Sequence, residues 1–93
     1  MIYNNMSNDK YYIKIDCPPG NERPNNILYN ILVDTKLNKN NFKVSSKIFG
    51  EWIFVLNEDC ESNYFIDSIP TIKSSLTKCY NTGQIRYAEW YEE

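Results

Sequence analysis

Histidine is absent from this 93-residue chain. Its absence removes the commonest general base, the commonest neutral metal ligand and the usual switch near neutral pH. Alanine occurs once, as Ala88, and arginine twice, as Arg23 and Arg86. The abundant Asn, Ile, Lys and Tyr have AT-rich codons, so the skew reads as genome bias, in keeping with an AT-rich bacterium, phage or other virus. No apolar run approaches transmembrane length, and Met1–Lys10 lacks the apolar stretch of a secretory signal. With a net charge of −2 there is no general pull toward nucleic acid or acidic membranes. A membrane partner is not expected, nucleic acid is disfavoured, and the expected location is cytoplasmic, in a cell or an infected host.

The cysteines, Cys17, Cys60 and Cys79, are odd in number and show no CxxC spacing. Free thiols behaving as small hydrophobes are expected, with no metal and no cofactor. Aromatic residues, by contrast, make up 15% of the chain. In so short a chain this implies an aromatic core, rings left for a partner, or both.

Residues 1–10 read as a polar tail and 11–93 as one α+β domain. Tyr11, Ile13 and Ile15 alternate with Tyr12, Lys14 and Asp16, the pattern of a half-buried strand. Ile27, Leu28, Ile31 and Leu32 form one helical stripe behind Pro24, and that helix is expected to fade near Leu37. Residues 42–47 alternate again, 52–56 are continuously apolar, and Gly50 between them predicts a tight hairpin. Ile69, Ile72, Leu76, Cys79 and Tyr80 form a second stripe, with Tyr64 and Phe65 in an earlier turn and Pro70 starting or kinking the helix. Gly83 is a natural stop, and residues 85–91 close the chain as a strand.

The order β-α-β-β-α-β predicts a ferredoxin-like sandwich: a four-stranded antiparallel sheet, strand order 4-1-3-2, with both helices on one face. The first and third strands are expected side by side and parallel in mid-sheet. That geometry brings Cys17 of the loop "DCPPGNERPNN" near Cys60 and sends Cys79 to the opposite end. Cys17, Arg23 and Cys60 then form a possible loop site, with Asp59 and Glu61 nearby. Thiol chemistry there needs a lowered pKa and, without histidine, a carboxylate base. An anion site needs free backbone N–H groups, which a proline-stiffened loop supplies poorly. A rigid corner, with Arg23 paired to a carboxylate, explains the same residues more simply.

Helices on one face leave the other open. Placing the branched aliphatics Ile13, Ile15, Ile53 and Val55 under the helices turns Tyr12, Trp52 and Phe54 outward. The last strand adds either Arg86 and Trp90 or Tyr87 to that face. The expected partner-binding residues are Tyr12, Trp52, Phe54, Tyr87 and Trp90, with acidic support from Asp59, Glu61, Glu89, Glu92 and Glu93. RNA-recognition domains share the topology, and "KIFGEWIFVL" evokes their third-strand motif, but basic residues are sparse and the spacing differs.

The favoured expectation is a small non-enzymatic protein-binding module, an intracellular inhibitor or neutralising protein of the immunity-protein or viral anti-defence type. A protein partner is expected, and a homodimer through the open sheet face is a further option. The alternatives are a single-stranded nucleic-acid-binding domain and a small enzyme using the Cys17/Arg23 loop.

Overall fold

Proline at a first helical turn, alternation in the strands and one apolar stripe per helix set the elements. The computed structural model describes residues 10–19, 24–48 and 50–92. Strand β1 (Tyr12–Asp16) is followed by helix α1 (Pro24–Leu32), strands β2 (Phe42–Ile48) and β3 (Glu51–Leu56), helix α2 (Ser62–Asn81) and strand β4 (Tyr87–Trp90). The expected tail lies outside the described residues except for Lys10.

Helix α1 starts at Pro24 as its pattern implies, but stops at Leu32 rather than near Leu37. Thr35 is the cause. Its N–H and its hydroxyl both donate to the Leu32 carbonyl, at 2.9 and 2.7 Å, closing the helix end. Leu37 still reaches the core, from the following loop. A 3₁₀ turn over Lys39–Asn41 leads into β2, held by a reciprocal cap: Asn40 N–H donates to Asn38 Oδ1 and Asn38 N–H to Asn41 Oδ1, both at 2.9 Å.

Helix α2 runs unbroken through Pro70, which sits on its exposed side. Phe65, Ile69, Ile72, Leu76 and Cys79 form its buried stripe. Its end is a Schellman motif, with Gln84 N–H donating to the Cys79 carbonyl at 3.0 Å and Gly83 N–H to that of Tyr80 at 3.2 Å. Gly83 takes the required positive φ of 80°. The last strand begins at Tyr87, two residues later than the pattern suggests, because Ile85 and Arg86 bridge from this cap into the sheet.

The fold is α+β: two helices and an open four-stranded sheet ordered β2-β3-β1-β4, with every neighbouring pair antiparallel. The expected parallel pairing of the first and third strands is therefore wrong. The β2–β3 hairpin reverses the chain before β3 enters the sheet, so β3 meets β1 head to tail. Cys17 consequently lies beside Gly50, whose carbonyl accepts its N–H at 3.1 Å, and not beside Cys60. Cys79, expected at the far end, is instead close enough to Cys17 to act on its ionisation.

The core joins Ile13 and Ile15 of β1, Phe54 and Leu56 of β3, the α1 stripe and the α2 stripe in one cluster. The helices also pack on each other. Phe65 is fully buried and is ringed by Tyr11, Phe42 and Tyr91, with centroids 5.8, 6.2 and 6.4 Å away. Much of the aromatic content is thus spent on the interior.

The register also corrects the expected face of β3. Directly opposed residues share a face, and Ile13 opposes Phe54 while Ile15 opposes Trp52. Phe54 is 2% exposed, and Trp52 and Trp90 are half-buried against the core. These three rings belong to the helix side. Ile53 and Val55 turn to the other side, opposite Lys14 and Tyr12.

Candidate functional site

The sheet face away from the helices is built from alternate residues of three strands. Tyr12, Lys14 and Asp16 of β1 oppose Val55, Ile53 and Glu51 of β3, and Lys14 and Asp16 oppose Glu89 and Tyr87 of β4. The resulting surface is polar and ordered by its own contacts. Tyr12 donates its hydroxyl to Glu89 Oε2 at 2.5 Å, and Tyr87 donates to Glu89 Oε1 at 2.7 Å. Lys14 Nζ lies 3.4 Å from Glu51 Oε2 and 5.8 Å from the centre of the Tyr87 ring. At the Cys17 end, Arg86 pairs with Asp16 at 2.9 Å. Ile53 is half-buried at the middle of this network.

The two phenol donors hold the Glu89 carboxyl below its ordinary value. In return Glu89 raises both phenols, Tyr12 from 10.0 to about 12, chiefly through the hydrogen bond and then through burial. The signs follow from linkage. Tyr12 stabilises the fold while protonated, so its contribution is complete below pH 10 and is lost as pH rises from 10 toward 12. Glu89 contributes above the ordinary carboxyl value of 4.5 and loses that contribution as pH falls below it. An alkaline absorbance titration should show one tyrosine ionising near pH 12, and Glu89→Gln should bring it back toward 10. An unchanged titration in the variant would mean that the carboxylate does not hold Tyr12.

Of the expected partner-binding residues, this face brings together Tyr12, Tyr87 and Glu89. Trp52, Phe54 and Trp90 lie beneath the helices, as described above. Asp59 and Glu61 are exposed in the β3–α2 loop, at the end of the sheet where Leu56 N–H bonds the Tyr11 carbonyl. Glu92 pairs with Lys73 of α2 at 3.6 Å. Arg23 and Glu93 fall outside the described residues. Lys14, Asp16, Glu51 and Ile53 complete the face and were not singled out from sequence. The alternation of β1 carried the signal for the first two, since Lys14 and Asp16 oppose the buried isoleucines.

Cys17 and Cys60 of the expected loop site do not meet, since they lie at opposite ends of β1. Cys17 is 7% exposed, and burial first, then Asp16, push its thiol up, while Arg86 opposes them. The Cys60 thiol is raised by burial and by its neighbours Asp59 and Glu61. Both shifts run opposite to those of an activated nucleophile. Among the described residues there is no cluster of three metal-ligating side chains, and no helix is long and apolar enough to cross a membrane. No family model, curated protein or solved structure matches this chain.

Proposed function

We propose that the chain is a small non-enzymatic protein-binding module of ferredoxin-like topology, acting in the cytoplasm as an inhibitor or neutralising protein of the immunity-protein or anti-defence type. One observation carries this reading: the sheet face left uncovered by α1 and α2 presents Tyr12, Tyr87 and Glu89 in a fixed hydrogen-bonded arrangement around Ile53. Tyrosines held in place by their hydroxyls offer contact area at little further entropic cost on binding. The strand order β4-β1-β3-β2 and the packing of both helices into one core support the ferredoxin-like assignment.

The charge on the face favours a protein over single-stranded nucleic acid. Lys14 and Arg86, the cations described there, already pair with Glu51 and Asp16, and Glu89 adds a further negative charge. A phosphate backbone gains little from such a surface. The exposed Asp59 and Glu61 place more negative charge at the Tyr11 end, which suits a partner with a basic rim.

Immobilised protein incubated with an extract of its native host should retain a partner. Tyr87→Ala and Glu89→Lys should each weaken that retention at least about tenfold, as for residues at the centre of an interface. Cys17→Ser should leave it intact. Retention unchanged by both face variants, or a measurable turnover abolished by Cys17→Ser, would overturn the reading.

A further inference from the structure

Among the described residues the sheet ends in β2 on one side and β4 on the other, and these two edges are built differently. Strand β2 carries the exposed Lys43 and a register shift between Val44 and Ser46, devices that discourage another strand from pairing there. Strand β4, Tyr87-Ala88-Glu89-Trp90, has no lysine, no proline and no register shift. Its one charged side chain, Glu89, is drawn over the open face by Tyr12 and Tyr87 and does not guard the edge.

The direction of the β4 backbone follows from its pairing. Tyr91 N–H donates to the Tyr12 carbonyl at 3.0 Å, so 12 and 91 are a hydrogen-bonded pair. Antiparallel ladders alternate, which turns the backbone of Glu89 and Tyr87 toward β1 and that of Ala88 and Trp90 toward the free edge. Beside this edge runs a groove of about 340 Å³, lined by Leu76, Thr77 and Tyr80 of α2 and by Tyr87, Ala88 and Trp90. Tyr80 and Tyr87 are 58% and 47% exposed. Within the groove wall the Trp90 Nε1 is buried without an acceptor among the described residues, a cost that an incoming group would relieve.

We propose that β4 pairs antiparallel with β4 of a second copy of this chain, extending the sheet across a two-fold axis at Ala88. The pairing chemistry selects both the occupant and the register. Centring on Glu89 would set two carboxylates directly opposite each other, which is unfavourable. Centring on Ala88 places the smallest side chain at the axis and Glu89 of each copy opposite Tyr87 of the other. That pair joins complementary chemistry, a carboxylate with a phenol donor. A two-fold axis normal to the sheet keeps α2 of both copies on one side. The two grooves then face each other, and each apolar wall covers the other. The interface lies on the edge of the sheet and shares Tyr87 and Glu89 with the proposed partner site, but self-association of the pure protein is read without any partner present, so the two proposals can fail separately.

The test is a sedimentation series of the intact protein up to about 1 mM, the weakest association worth assigning, combined with amide hydrogen exchange. The expected result is a monomer–dimer equilibrium in which the Ala88 and Trp90 amides become protected as concentration rises, while Glu89 is protected throughout. Ala88→Pro removes an N–H that faces away from β1, so it should weaken the dimer at least about tenfold with the monomer fold retained. A monomer at every concentration would overturn the proposal, as would a dimer whose Ala88 and Trp90 amides exchange freely. The exchange measurement on the unmodified protein decides the matter even if Ala88→Pro fails to fold.

Discussion

Phe54→Ala should destabilise the fold by about 3–5 kcal/mol, the usual cost of removing a buried phenylalanine side chain and leaving part of its volume empty. Phe54 is 2% exposed, faces Ile13 across the sheet, and stacks on Trp52 at a centroid distance of 5.9 Å and an interplanar angle of 25°. Both of its faces are therefore engaged, one in the core cluster and one against a ring that also shields the core edge. Total stabilities of single domains are about 5–15 kcal/mol, so the loss would remove a large part of this one. Denaturant titration followed by circular dichroism gives the number directly. The neighbouring Ile53, turned to the other face, provides the contrast, and Ile53→Ala should cost clearly less. Equal costs at the two positions would mean that β3 is phased differently from the register described here.

Gly50→Ala should be the more damaging of two glycine substitutions made at nearly the same backbone angle. Gly50 has φ of 86° and Gly83 of 80°, so both alanines would enter the left-handed region, at about 1–2 kcal/mol each. The surroundings separate them. A Cβ at Gly50 would stand 3.0 Å from the Cys17 carbonyl oxygen and 3.3 Å from Asp16 Oδ1, while one at Gly83 meets nothing within 4 Å. The Cys17 contact is to backbone and cannot swing away, and Cys17 N–H is itself bonded to the Gly50 carbonyl. Gly50 thus lets the β2–β3 hairpin pass close under the end of β1, beside the Asp16–Arg86 pair. Thermal unfolding should show a larger drop for Gly50→Ala than for Gly83→Ala. The reverse order would mean that the end of β1 can move aside, and that the hairpin is not locked against it.

The parts of the fold readable from sequence are those with an unambiguous local signal. The alternation of Tyr11, Ile13 and Ile15 against Tyr12, Lys14 and Asp16 fixes both the strand and its buried face, and the stripes of α1 and α2 are equally plain. Strand β3 is different. Trp52-Ile53-Phe54-Val55-Leu56 is apolar on both sides, so periodicity cannot say which side is inward. That is decided by pairing with β1 and by the short hairpin, neither of which is a local property. The misplacement of Trp52 and Phe54 follows from this, and with it the expected aromatic surface. The supposed meeting of Cys17 and Cys60 failed for another reason: it depended on strand direction, which the hairpin reverses. On the candidate face, Tyr12, Tyr87 and Glu89 were legible as residue types. Their convergence on a single carboxylate needed the β1–β4 register.

The central claim is that the open sheet face, and not the helix side, meets the partner. Site-specific photo-crosslinking tests it most directly. A benzophenone side chain replaces Tyr87 on the open face in one variant. In the other it replaces Tyr29, which is 55% exposed on α1. After irradiation in host extract, a discrete adduct is expected from position 87 and none from position 29. An adduct formed only from position 29 would place the partner on the helices and contradict the claim.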